Sequence, residues 1–241
     1  MRAFATIATF AVLAFSAVTS ALPSPAGAVA NVVNGSPSAP TVAPSADDLK
    51  SNLYKAMQPV PTPSGGHGGP KGIPDVLVEV NAKVLPLIKD LTVKIDAEVD
   101  VHVILDLAVK VFAEIKGIVH AACDDIKAVI KADVSVVLNL KGILVDVHVC
   151  AQILAQLLNV IVLAIALVVK LCVSIDVSVL LKIAASITAD LSLIVKLVVS
   201  AVVGIDVLLK GVLSLVANIC VGLKLNILVN VLAKLGLGLH L

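Results

Sequence analysis

VKIDAEVDVHV, residues 93–103, alternates without a fault: Val93, Ile95, Ala97, Val99, Val101 and Val103 are apolar, and Lys94, Asp96, Glu98, Asp100 and His102 stand between them. Taken alone this is a strand template, and Val and Ile favour strands. The next stretch reads differently. Asp106, Lys110 and Glu114 recur at four-residue steps, the spacing of one helix face. Ile118, Ala122, Ile126, Val129 and Ile130 set against His120, Asp124, Lys127 and Lys131 also suit a helix. Gly117, Gly142, Gly204, Gly211 and Gly222 are placed to break or cap long helices. After Pro86 there is no Asn-Gly, Asp-Gly or Pro turn cluster, and hairpins usually need one. Strands this apolar would also leave edges prone to aggregation. The pattern predicts a mainly α back half, with β-rich amphipathic repeats as the alternative and 93–103 as the segment where the two readings compete.

Composition divides the chain into two unlike parts. All 11 prolines lie at or before Pro86, and the stretch Val134–Leu241 carries only seven Lys and four Asp. The chain is 59% hydrophobic and 15% charged, with mean hydropathy +1.08, against about 25% charged for an ordinary soluble domain. A formal net charge of +1 excludes a basic footprint for nucleic acid. With 2% aromatics and no Trp, stacking platforms for bases are missing too. The contrast points to an interface rather than to a catalytic cleft.

The first residues read as a secretory signal, 1–21. Arg2 is a short positive n-region, Ala3–Val18 an apolar h-region, and Thr19-Ser20-Ala21 a small-residue cleavage site. The competing reading, a membrane anchor, asks for about 20 apolar residues, more than this h-region holds. Residues 22–75 read as a disordered polar linker rich in Pro, Ser, Gly, Ala and Thr, which has too little apolar surface to offset its chain entropy. One short helix interrupts it: Ser45 is its N-cap, Asp47 and Asp48 lie in its first turn, and Leu49, Leu53 and Met57 run along one side. Asn34-Gly35-Ser36 is the N-glycosylation sequon, weakened by the Pro37 that comes after it. The Ser and Thr residues among the prolines suit O-glycosylation, and a plain linker is the alternative.

Residues 76–241 form the expected hydrophobic helical domain, built of imperfect repeats of about 30 residues. Val-Asp-Val-His-Val occurs at 99–103 and 145–149, with relatives at 175–179 and 205–209. Asp146, Asp176 and Asp206 recur at that interval. Each Asp is expected at a helix N-terminus, where the dipole favours acid. The stretch Val147–Val169 carries no formal charge, though His148, Gln152, Gln156 and Asn159 dilute its first half. Its length allows a single membrane span. Elsewhere Lys or Asp interrupts every apolar run, and a charge at a helix centre costs about 2.5–3.5 kcal/mol on insertion, which disfavours a polytopic channel.

Secretion bears on the four cysteines, Cys123, Cys150, Cys172 and Cys220. In an oxidising compartment an even number implies disulfides, here two in any of three connectivities. Buried free thiols are the alternative, since Cys also serves as a small hydrophobe. No CxxC pair, GxSxG, HExxH, GxGxxG or Walker pattern occurs. The pairs Asp100/His102 and Asp146/His148 offer acid–base or metal chemistry only if a third group joins them; otherwise they are caps. His67, within Gly65-Gly66-His67-Gly68-Gly69, is a lone loop histidine, and Asp124-Asp125 reads as a helix-surface pair. Lys170, Lys182, Lys196, Lys210, Lys224 and Lys234 lie near two-heptad spacing, which suits one polar stripe or snorkelling charges on a bundle. The residues therefore yield no catalytic, cofactor or metal site.

The layout of MRAFATIATFAVLAFSAVTSA (1–21), then a Pro/Gly front, then runs such as NVIVLAIALVVKLCVSIDVSVLL (159–181) resembles the secreted hyphal-surface proteins of mushroom-forming fungi. Those share a signal peptide, a hydrophilic front and a hydrophobic back, without the eight-cysteine pattern of hydrophobins. The resemblance implies an extracellular wall or matrix protein that assists aerial growth and attachment to hydrophobic surfaces, and it implies no particular site residues. The expected function is secreted and structural: self-association or adsorption at apolar interfaces, with further copies of itself, hydrophobic surfaces or lipid, and wall polysaccharide as partners. Two alternatives remain at this level: a lipid- or small-hydrophobe-binding bundle, and a single-pass protein spanning 147–169.

Overall fold

The aspartates of the repeat mark where helices begin. Asp100, Asp146 and Asp176 each accept the backbone N–H two residues on, from His102 at 2.8 Å, His148 at 2.9 Å and Ser178 at 2.8 Å. A side-chain oxygen there satisfies one of the donors that a first turn leaves free. Asp206 lies within the first turn of its own helix. These positions open α3 (Val101–Ala132), α4 (Val147–Leu171), α5 (Ser178–Ala201) and α6 (Ile205–Val212). The repeat is thus one helix plus its turn, with Gly204 at φ 83° supplying the tight entry to α6.

The computed structural model describes residues 44–62, 70–98, 100–132 and 137–234, without the side chains of 211, 212, 214 and 215. All belong to the compact unit Val42–Leu241. The expected signal segment 1–21, Asn34 and His67 lie outside the described residues. The remaining elements are α1 (Ala46–Ala56), α2 (Ile73–Ala97), a hairpin of β1 (Asn139–Leu140) and β2 (Ile143–Leu144), α7 (Ser214–Gly222) and α8 (Asn226–Lys234). The expected mainly α class holds.

Residues 93–103 are neither a strand nor one helix. They carry the last turn of α2, which ends at Ala97, and the first turn of α3, which begins at Val101. Val93 and Val103 are 56% and 40% exposed, so the alternation does not sort residues into buried and exposed faces. It spans a helix end, a capping Asp and a new helix start, and the strand alternative falls.

Helix α1 and the first turn of α2 fall within the expected 22–75 segment, α1 where the Ser45 helix was expected. Ser45 Oγ accepts from Asp48 N at 3.1 Å and Asp48 Oδ2 accepts from Ser45 N at 3.2 Å, a reciprocal capping box. The hydrogen bonds that Ser45 gives to the Asp48 carboxyl hold it below the usual carboxylate range. Leu49 and Leu53 are buried against the bundle, which stabilises a helix too short to persist alone. At the start of α2, Pro74 occupies a first-turn position where its missing N–H costs nothing. Asp75 bridges two elements there: Oδ2 accepts from Gly72 N at 3.1 Å and Oδ1 from Lys141 N at 2.8 Å. Lys141 and Gly142 take φ 51° and 78° between the paired residues Leu140 and Ile143, the two positive values of a type I′ turn. Lys-Gly is a weak turn signal by itself, and Asp75, 66 residues away in sequence, supplies the missing acceptor.

Helix α4 is the centre of the bundle. It packs on α1, α2, α6 and α7, while α3 packs on α2 and α5, and α8 on α5. Every residue from Val160 to Val168 is buried. A helix apolar all round is one that is surrounded, so the uncharged run 147–169 has its reason within the fold. Helix α3 is one-sided instead: Ile104, Ala108, Phe112, Ile115, Val119, Ala122 and Ile126 are buried, with Asp106, Lys110, Glu114 and Asp124 exposed. The six lysines of the expected stripe are exposed but fall on α4, α5, α6, the α7–α8 turn and α8. No continuous helix carries them, because the chain turns at 172–177, 202–204, 213 and 223–225.

The caps carry a pH dependence. Hydrogen bonds from the backbone and ring of His148 hold Asp146 below its ordinary value of 3.8. A carboxyl lowered on folding stabilises above its unfolded value and loses that contribution as pH falls through the folded one. Asp146→Ala is expected to cost about 1 kcal/mol at pH 7 and nearly nothing at pH 2, read as the difference in urea unfolding between the two variants at each pH.

Candidate functional site

The polar residues that dilute the first half of α4 have a structural task. Gln156 Nε2 donates to the carbonyls of Ala56 at 3.1 Å and Gln58 at 2.6 Å. These carbonyls end α1 and have no intrahelical donor. Gln156 Oε1 accepts from Asn81 Nδ2 at 3.3 Å, and the same Nδ2 donates to Ile153 O at 3.1 Å. Asn81 and Gln156 are both buried, so this small network ties α1, α2 and α4 together. Among the described residues Asn81 Oδ1 is buried and accepts no hydrogen bond, a cost borne by the network. Further attachments link the exposed side of α1 to the end of α2: Lys50 Nζ pairs with Asp96, and Tyr54 Oη donates to Asp96 at 3.3 Å. The hydrogen bond to Asp96 raises the Lys50 ammonium above its ordinary value.

Gln156→Leu is nearly volume-conserving, yet it strips partners from two carbonyls and from the Asn81 amide. An unsatisfied buried group costs about 1–3 kcal/mol, so a loss at the upper end of that range is expected in urea unfolding. Unchanged stability would show that water replaces the amide at no cost.

Exposed apolar residues are spread over several elements; some adjoin the start of α4 and one lies just beyond its end. At its start, Val137, Leu144, Val147 and Val202 line an open cleft of about 330 Å³. Leu144 is 68% exposed and Val203, in the turn before α6, is 94% exposed. At its other end, Val173 in the turn after α4 is 81% exposed. The 25 residues of α4 separate the two places by about 37 Å at 1.5 Å per residue. Neither was legible beforehand, since a valine in a turn looks like any other valine in this sequence.

The Asp/His pairs do not meet. Asp100 sits beyond the C-terminal end of α2, while Asp146 comes after the hairpin that Asp75 holds at its N-terminal end. About 37 Å of helix lies between them. Asp124 pairs with Lys127 at 2.9 Å on the surface of α3, as a surface acid should. Among the described residues no group of three or more His, Cys, Asp and Glu is placed to hold a metal ion.

The four cysteines, expected in two disulfides, are free and buried. Each fills a core position as a small hydrophobe would. Burial pushes the thiols of Cys150 and Cys220 up to about 12, and that of Cys172 up as well. Cys123 is raised to about 11 by burial and then by the charge of Asp190. Residue types alone suggest a Cys–His–Asp triad on the α3–α5 seam. Here, however, His120 Nδ1 is 3.4 Å from Asp190 Oδ1, and the Cys123 thiol donates to the Asp190 backbone carbonyl at 3.4 Å. A buried thiol held protonated is no nucleophile. Thiol reagents at pH 8 are expected to leave the reduced native chain unlabelled and to modify all four cysteines in denaturant. Rapid native labelling would contradict this burial.

Comparison with known protein families, curated proteins and solved structures finds no match to this chain.

Proposed function

We propose that this chain is a secreted structural protein that adsorbs or self-associates at apolar interfaces, in a cell wall or extracellular matrix. The observation that carries the reading is the contrast between a Pro-rich polar front and a back half, Val134–Leu241, with only seven Lys and four Asp. The bundle buries α4, its most apolar helix, and leaves Leu144 and Val203 exposed together near the start of that helix. Exposed apolar clusters mark interaction surfaces. The Asp/His pairs stand apart as local caps, and the thiols are held protonated, so the polar residues support folding rather than a reaction. A small-hydrophobe carrier is the second reading, and the cleft beside Leu144 and Val202 is where its ligand would be sought.

Fractionation of secreting cells tests the proposal. Recovery from medium or wall with detergent or organic solvent, together with a fall in surface tension from the purified chain, is the expected result. Retention in alkali-washed membranes would overturn it in favour of a span at 147–169. A monomer without surface activity that carries bound lipid would favour the carrier.

A further inference from the structure

We infer that the side of the bundle formed by α5, α6, α7 and α8 is a docking surface for an anionic lipid layer. The inference rests on the surface-active reading and names the partner of that one side. These four helices adjoin one another and α4, and α5 also carries the seam with α3. Charge divides the bundle accordingly. Residues 73–132, which hold α2 and α3, carry seven Lys against ten Asp or Glu. Residues 178–234 carry five Lys against two Asp. Both of those carboxylates have local roles: Asp190 lies 3.4 Å from His120, and Asp206 sits in the first turn of α6. Lys182, Lys196, Lys210, Lys224 and Lys234 are all exposed. Among the described residues none of the five forms an ion pair, whereas Lys50, Lys71, Lys94 and Lys127, on or beside α1, α2 and α3, each do.

The exposed apolar residues of this side stand beside those lysines. Val179 precedes Lys182 by three residues on α5, and Val207 precedes Lys210 by three on α6. Residues three apart on a helix share a face, so each ammonium adjoins a valine that is itself in water. In the α7–α8 turn, Lys224 N donates to the carbonyl of exposed Val221 at 3.0 Å, and exposed Ile227 follows three residues on. On α2 and α3 the same spacing joins exposed valines to acids instead: Val93 to Asp90 and Asp96, and Val103 to Asp106. A lysine stem lies along apolar surface while its ammonium reaches a charged group. Apolar residues beside lysines are the composition of a face that settles among lipid headgroups, and each such lysine strengthens binding to an anionic surface about fivefold. A neutral apolar phase gives the lysines no counter-charge, and a soluble polyanion gives the valines nowhere to be buried. Anionic headgroups over acyl chains match both, and the excess acid of α2 and α3 turns the opposite side away from them.

Co-sedimentation of the full chain with phosphatidylcholine vesicles, and with vesicles of phosphatidylcholine and phosphatidylglycerol in equal parts, tests the surface. Binding to the anionic vesicles is expected to be at least about a hundredfold tighter and to weaken as salt rises. Lys182→Gln, Lys210→Gln and Lys224→Gln together are expected to weaken it about a hundredfold. Lys83→Gln, Lys110→Gln and Lys116→Gln, which remove as many exposed lysines from α2 and α3, are expected to weaken it less than about threefold. Val207→Asp changes an exposed position outside the core and tests the apolar contribution, with an expected loss of about tenfold; Val103→Asp on α3 is its control. Equal binding to both kinds of vesicle, or equal losses from the two lysine sets, overturns the docking surface. Binding to dextran sulfate as tight as to the vesicles, with Val207→Asp without effect, overturns lipid as the partner. A chain that lowers the surface tension of clean water but binds neither vesicle overturns the docking surface and leaves the surface-active reading standing. A chain that does neither overturns that reading as well.

Discussion

Ile161→Asp is expected to destroy the folded bundle at neutral pH. Ile161 is fully buried in the middle of α4, within the unbroken buried run Val160–Val168. No formal charge lies between Val147 and Val169 to pair with a new carboxylate. An unpaired buried charge costs on the order of 4 kcal/mol or more, a large share of the roughly 5–15 kcal/mol that holds a domain together. Burial raises the carboxyl of such an Asp on folding. The neutral form is the one the core tolerates, so the penalty is least below about pH 4 and grows as pH rises. Thermal unfolding of the variant at pH 3.5 and pH 7, with Ile161→Val as a control expected to cost about 1 kcal/mol, measures this. Equal stability of Ile161→Asp and the parent at pH 7 would mean that α4 is not the bundle's centre.

Phe112→Ala is the second large effect, expected at about 3–5 kcal/mol. Phe112 is a fully buried side chain on the inward face of α3, the helix that joins α2 to α5. Truncation removes the ring's transfer energy and leaves a cavity that neighbours on rigid helices fill only in part. The urea midpoint should fall with an unchanged slope, because the surface exposed on unfolding stays nearly the same. Phe112→Leu should recover most of the loss by refilling the space. A loss below about 1 kcal/mol for the alanine variant would show that the α3 seam collapses around the gap.

Much of the architecture was legible in particular residues. The Asp-Val starts announced α3, α4, α5 and α6 because such effects are local: at the first three a carboxylate needs only the N–H two residues on, and at α6 Asp206 suits the positive end of the dipole in the first turn. The Ser45 helix was legible for the same reason, and the faces of α3 because its polar residues keep a helical period. The candidate site was much less so. Gln152, Gln156 and Asn159 looked alike as polar residues in an apolar run, and only Gln156 lies under the end of α1. Asp75 looked like a first-turn acid and proved also to hold a turn 66 residues away. The cysteines looked like a disulfide framework because secretion was the premise, yet their surroundings are those of core residues.

Composition, and groups only a few residues apart, were enough for the helical class, most helix starts and the contrast between a polar front and an apolar back. The assembled bundle was needed to show that the most membrane-like stretch lies at its centre, that a short helix in the polar front covers it, and that Val173 and Val203 remain in water. A transfer free energy is nearly the same for a side chain facing lipid, air or another helix. Hydropathy therefore says that α4 must leave water, and only the packing of α1, α2, α6 and α7 around it says where it goes.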